Sequence, residues 1–158
     1  MGSYGVPTDP DGALPWSWAE ERLTVNRNYW VVTVNGGGRP AAMPVWGVWQ
    51  PDPARFHFSC APDARKARNI AQNSHVCVMI DDTVECVSLE GTASLLDDDS
   101  ARTRVATTYA AKYAPPEEQA SMIEFVLGHV IFEVLPVKAL AIIERDEEFA
   151  SKATRWTW

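Results

Sequence analysis

Residues 28–49 read NYWVVTVNGGGRPAAMPVWGVW. Tyr29 to Val34 is a β-branched and aromatic run, and Asn35-Gly36-Gly37-Gly38 ends it. Arg39 to Gln50 resumes as a second strand-like segment. Two strand signals joined by an Asn-Gly-rich link make a β-hairpin. A glycine loop that cradles phosphate lies between a strand and a helix, because the helix N-terminus supplies the anion site. Strands flank these glycines on both sides, so they read as a turn.

Working outward, residues 1–14 have Gly and Pro but no apolar period, and read as a flexible lead-in. Leu14 to Leu23, with Pro15 near its start, reads as a short helix that packs Trp16 or Trp18 on the body. Beyond the hairpin, Pro51-Asp52-Pro53 is a turn and Arg55 to Cys60 a short strand. The stretch APDARKARNIAQNS reads as a helix of about three turns, with Pro62 and Asp63 as start signals and Asn73-Ser74 as a stop. His75 to Ile80 and Glu85 to Leu96 are strands, divided by Asp81-Asp82-Thr83. Asp97-Asp98-Asp99-Ser100 caps a helix to about Tyr113, and Pro115-Pro116-Glu117-Glu118 starts another to about Leu127. Val130 to Leu135 and Val137 to Glu144 read as two final strands around Pro136, and SKATRWTW as a tail. Tight turns join most strands, so a mainly β, α+β architecture is expected: an antiparallel barrel with peripheral helices, one domain over residues 15–158.

The chain has 158 residues, 14 Lys plus Arg and 21 Asp plus Glu, for a net charge of −7. That balance argues against a dedicated nucleic-acid or anionic-membrane binder. No apolar stretch is long enough to span a membrane. No signal peptide is visible, and nothing polybasic follows Met1-Gly2-Ser3 to make it an acylation signal. Cys60, Cys77 and Cys86 lack CxxC spacing and read as reduced, buried thiols, so a cytoplasmic location is expected.

All seven acids between Asp81 and Asp99 stand without a Lys or Arg among them. The reverse holds from Arg55 to Arg68, where Arg55, Arg65, Lys66 and Arg68 face only Asp63. Arg65, Lys66, Arg68 and Asn69 begin a helix that follows a strand ending near Ser59. Helix-start N–H groups, a hydroxyl and guanidinium forks suit a phosphate; the same spacing also suits a solvated helix face. His57, His75 and His129 have no metal-ligand spacing, so no metal site is expected. Ser59 and Ser88 lie outside any GxSxG elbow. An enzyme without reactive groups of its own borrows a cofactor, and the basic helix start would hold its phosphate.

Three runs, NYWVVTVNGGGRPAAMPVWGVW, FHFSCAPDARKARNIAQNSHVCVMI and VSLEGTASLL, resemble the pyridoxamine 5′-phosphate oxidase-like split β-barrel proteins. Within that superfamily the chain is most similar to the flavin- and deazaflavin-dependent oxidoreductases of the B group. The resemblance implies a six-stranded antiparallel split β-barrel and a homodimer with cofactor sites at the subunit interface. It implies that Arg65 and Lys66 hold the cofactor phosphate, with Arg68, Asn69 and Ser59 beside them. The ring then lies along Met43, Pro44, Val45 and Trp46, and the other subunit brings Val87, Ser88, Arg155 and Trp156. Tyr109 and Lys112 are candidate substrate-side groups, against the plainer expectation of ordinary surface residues on a helix. The name-giving enzyme carries basic residues where this chain has Ala42 and Gly47, so oxidation of pyridoxamine phosphate is not expected. Three functions follow from the resemblance: a reductase using coenzyme F420, whose phosphate and oligoglutamate tail suit the whole basic cluster; an FMN-dependent oxidase or reductase; or a non-catalytic binder of flavin or haem.

Overall fold

A computed structural model describes residues 12–149 and 151–158. Most of the expected lead-in, residues 1–11, lies outside them. In chain order the elements are α1 (Trp16–Val25), β1 (Asn28–Val34), β2 (Pro40–Pro51), β3 (Ala54–Cys60), α2 (Arg65–Gln72), β4 (His75–Ile80), β5 (Glu85–Leu95), α3 (Asp99–Tyr113), α4 (Gln119–Leu127), β6 (Val130–Ile143) and β7 (Thr154–Thr157). A 3-10 turn over Pro116–Glu118 leads into α4.

The strands run in the order β3-β2-β1-β4-β5-β6-β7, and β3 also pairs with β6. Six strands therefore close into an antiparallel barrel, and β7 extends the sheet along β6. Alternation along each strand decides what the barrel encloses. Tyr29, Val31 and Thr33 of β1 are buried while Trp30 is exposed. Phe56 and Phe58 of β3, Val78 of β4 and Val87 and Leu89 of β5 complete a core of fully enclosed side chains. The β1–β2 hairpin registers from Asn28↔Trp46 to Val34↔Pro40. Its turn closes with Gly38 N–H donating to Asn35 O (2.9 Å), and Gly38 takes φ +77°, a left-handed conformation that favours glycine.

The two strands expected around Pro136 are one. β6 pairs with β5 along its length, with a register shift between Glu90 and Gly91 that leaves Val137 without a direct partner. Burial falls on Phe132, Val134 and Pro136 before that point, and on Ala139, Ala141 and Ile143 after it. A bulge shifts the alternation by one residue, so a strict period of two breaks the strand in the sequence. Gly91 allows the close approach, since a Cβ there would meet Leu135 O at 2.1 Å. The expected tail holds β7, paired with β6 from Ala141↔Thr154 to Lys138↔Thr157. The helix read over APDARKARNIAQNS is shorter than expected, eight residues beginning at Arg65, with Pro62 and Asp63 in the preceding turn.

Helices cover the outside. Ala19 and Leu23 of α1 are fully buried at i, i+4 spacing. Asp98 caps α3 by accepting from Ala101 N–H (2.7 Å), as the acidic run implied. Val105, Ala106 and Tyr109 of α3 and Val126 of α4 form a second apolar cluster with Val48 and Ile131 on the outer barrel wall.

His57 of β3 is buried beside this cluster. Its Nε2 faces Glu133 Oε2 at 3.3 Å, while Nδ1 has no partner among the described residues. Burial lowers its affinity for a proton, opposed by Glu133. A histidine whose folded pKa lies below its unfolded value adds stability above the unfolded pKa and loses it as pH falls. Thermal melts are expected to fall as pH drops below about 6.5, and His57→Gln to flatten that fall. An equally steep acid limb in the variant would assign it to other groups.

Candidate functional site

β2 pairs with β1 up to Trp46 and with β3 only from Gly47 onward. β3 ends at Cys60, and the chain turns there into α2, with Ala64 N–H bonded to Ala61 O (3.0 Å). The edge of β2 before Gly47 that faces away from β1 is therefore left without a strand. A cavity of about 310 Å³ occupies this split. One wall is Pro44, Val45 and Trp46 of β2; Ser59 and Cys60 end β3 beside it, and Lys66 enters from α2. Tyr109 of α3 forms the floor, and Met122, Phe125 and Val126 of α4, with His129, form the opposite wall.

Where β2 changes partners, α3 supplies the missing hydrogen bonds. Tyr109 Oη donates to Trp46 O (2.6 Å) and accepts from Ser59 N–H (3.2 Å). Tyr113 Oη accepts from Gly47 N–H (2.9 Å) and lies 2.7 Å from Gly47 O. Lys112 Nζ donates to Tyr29 Oη (2.7 Å) and to Gly47 O (3.1 Å). Satisfying buried backbone groups in this way avoids a desolvation cost. Tyr109 and Lys112 are thus not ordinary surface residues: Tyr109 is 2% exposed, and the Lys112 amine is turned inward. Burial pushes the Tyr109 phenol up, Tyr113 up to about 12, and Lys112 down to about 8. Of the two substrate-side candidates, Tyr109 reaches the cavity and Lys112 is spent on the frame behind it.

Trp46 stacks on Tyr113 with centroids 4.7 Å apart and planes 6° apart. The Arg27 guanidinium lies 5.2 Å from the Trp46 ring, a cation–π contact that the sequence did not point to. Met43 is 54% exposed and stands outside the cavity wall.

The basic cluster divides. Among the described residues, neither Arg65 nor Lys66 has an ion-pair partner; Lys66 lines the cavity and Arg65 is exposed. Arg68 bonds back to Asp63 O. Asn69 is buried, and its amide donates to Thr33 Oγ1 (2.9 Å), tying α2 to β1. Arg55 does not join them, because its side chain faces Glu133 (3.7 Å) at the far end of β3. Ala64 gives the start of α2 no side-chain cap, so its first N–H groups are open to an anion.

The cysteines are free and half-buried rather than enclosed. Cys60 borders the cavity; burial pushes its thiol up, partly offset by Lys66. Arg155 and Trp156 pair through β7 with Leu140 and Ala139, toward the end of β6 opposite His129. Trp156 sits edge-on to Trp16 (5.4 Å). Val87 faces the barrel core and Ser88 bonds Cys77 (3.2 Å). All four are away from the cavity within one chain.

The profile of the family described as Pyridoxamine 5′-phosphate oxidase matches residues 19–133. The chain belongs to that family. The match takes in the split, α2 and all of the residues that line the cavity. Among solved structures, this family member resembles a conserved hypothetical protein from Mycobacterium tuberculosis, at TM-score 0.72 and 15% identity over 85% of this chain and 88% of that one. It also resembles HutZ, the haem storage protein of Vibrio cholerae, at TM-score 0.59 and 18% identity over 77% and 86%. A protein named F420 reductase aligns at TM-score 0.56 and 20% identity over 76% and 94%. At these identities the likeness is one of fold. No curated protein sequence matches the chain significantly.

The α4 wall is the part that sequence reasoning missed. Its apolar residues marked a helix, but periodicity carries no information about which distant surface a helix will face.

Proposed function

We propose that the protein is an oxidoreductase using coenzyme F420, acting on a small unsaturated or cyclic organic substrate. The observation that carries this reading is Lys66, a cation without an ion-pair partner among the described residues, at an uncapped helix start beside a cavity with apolar walls from β2 and α4. An anionic cofactor head fits that donor set. Lys66, the first N–H groups of α2 and Ser59 would hold the phosphate. Pro44, Val45 and Trp46 would face one side of the ring, with α4 excluding water from the other. Tyr109 fixes the Trp46 carbonyl and so holds the wall in place. When bound, the deazaflavin supplies the hydride chemistry, and the chain supplies orientation and a dry wall.

We place the working unit as a homodimer. Trp30 (41% exposed), Met43 (54%) and Phe125 (57%) leave apolar surface near the cavity that a second subunit would cover. Arg155 and Trp156 would reach a site only across such an interface.

One observation favours FMN as a second reading. Arg55 is taken by Glu133 and Arg68 bonds back to Asp63 O, which leaves only exposed Arg65, of that cluster, beside Lys66 for an oligoglutamate tail. Oxidation of pyridoxamine phosphate remains disfavoured, since Ala42 and Gly47 offer no cation to a substrate phosphate and Gly47 has no room for a side chain. Titrating the purified protein with F420 and with FMN, followed by cofactor fluorescence, separates the readings. Micromolar or tighter F420 binding with weak FMN binding supports the first, and the opposite order supports the second. Binding of neither overturns the cofactor site.

A further inference from the structure

His129 follows the C-terminal end of α4 and forms part of the cavity wall opposite β2. Its Nδ1 lies 2.7 Å from Phe125 O. A carbonyl oxygen only accepts, so Nδ1 carries the hydrogen. That bond closes the last turn of α4, as basic side chains commonly do at helix ends, and it accounts for one ring nitrogen. Among the described residues Nε2 has no hydrogen-bond partner: it is an acceptor in the neutral ring and a donor in the imidazolium. The Phe125 ring, 4.5 Å from the imidazole, flanks its position.

Lys66, at the start of α2, and Ser59, at the end of β3, border the same cavity. The Tyr109 hydroxyl is committed to Trp46 O, and burial holds Cys60 as a thiol. The charged groups facing His129 are few. Arg102 of α3 reaches the backbone, bonding His129 O (3.1 Å) and Leu127 O (2.9 Å). α4 itself carries Glu124, exposed. Cys60 of β3 pairs with Val130 next along the chain, and Lys66 of α2 borders the same cavity. On β6 the nearest carboxylate is Glu133, which faces His57 and Arg55.

We propose that His129 is a second ligand-holding group of this cavity, and that binding of an anionic cofactor there is coupled to proton uptake at its Nε2. The inference rests on the cofactor-site reading above. An anion enclosed with an imidazole favours the charged ring, and histidine changes charge between about pH 5 and 8. By linkage, affinity then falls as pH rises through that range.

The test is the dissociation constant of F420, and separately of FMN, at pH 6 and pH 8 for the wild type and His129→Asn. Asparagine keeps an amide donor near the Nδ1 position for Phe125 O and removes Nε2. In the wild type the affinity for the cofactor that binds is expected to fall about tenfold from pH 6 to pH 8 relative to the variant. Equal pH dependence in the two proteins overturns the proposal while leaving the cofactor site intact. Binding of neither cofactor overturns the site and the proposal together. Should the variant fail to fold, the His129 imidazole resonances of the wild type decide: cofactor must move their titration to higher pH, and an unmoved titration overturns the coupling.

Discussion

Lys66→Ala is expected to weaken cofactor binding about 10- to 100-fold, the loss of one charge-assisted contact. The fold should survive, because the amine bonds no described residue and α2 is held by Asn69 on Thr33 and by buried Ala67 and Ile70. Arg65→Ala should cost less, since that side chain is exposed and outside the cavity wall, even though the sequence motif gave the two residues equal weight. Fluorescence titration of both variants, with melting curves to verify folding, measures the difference. Unchanged binding in Lys66→Ala would place the phosphate elsewhere.

Gly47→Ala is expected to give the largest stability loss, about 3 kcal/mol, or a melting temperature lower by about 10 °C for a chain of this size. A Cβ at position 47 would stand 2.2 Å from Phe56 Cζ and 3.0 Å from His57 O. Phe56 is fully buried against Tyr29, with ring centroids 4.7 Å apart, so it has no open space to move into. The backbone at Gly47 is also the anchor for Tyr113 and Lys112, and a shift there would loosen α3 and the cavity floor together. Thermal melts should register the loss before any effect on binding. A variant as stable as the wild type would mean that Phe56 repacks freely. The same geometry leaves no room for a longer side chain at this position.

Local chemistry made much of this protein readable in one dimension. The β1–β2 hairpin follows from β-branched runs on either side of an Asn-Gly link, the start of α3 from Asp98, and α2 from its strand-to-helix context. The basic helix start was visible because charge stands out against an acidic chain. Other features depended on partners distant in sequence. Pro136 looks like a strand end until Gly91, 45 positions earlier, allows β5 to pass close and absorb the bulge. Arg55 looked like part of the phosphate cluster because it is near in sequence, but Glu133 on the neighbouring strand takes it.

The sequence by itself determined the fold class, the family resemblance and the basic start of α2, because propensity, turn chemistry and charge act over a few residues, while the structure decided that Lys66 rather than Arg65 lines the cavity. Only the tertiary structure decided where β2 parts from β3 and which helix covers that gap. The same holds for how Tyr109, Lys112 and Tyr113 are spent on the exposed backbone and for which histidine lines the cavity. Those outcomes depend on barrel closure, which brings residues from β2, β3, α2, α3 and α4 to one place, and no local pattern encodes a distance between them.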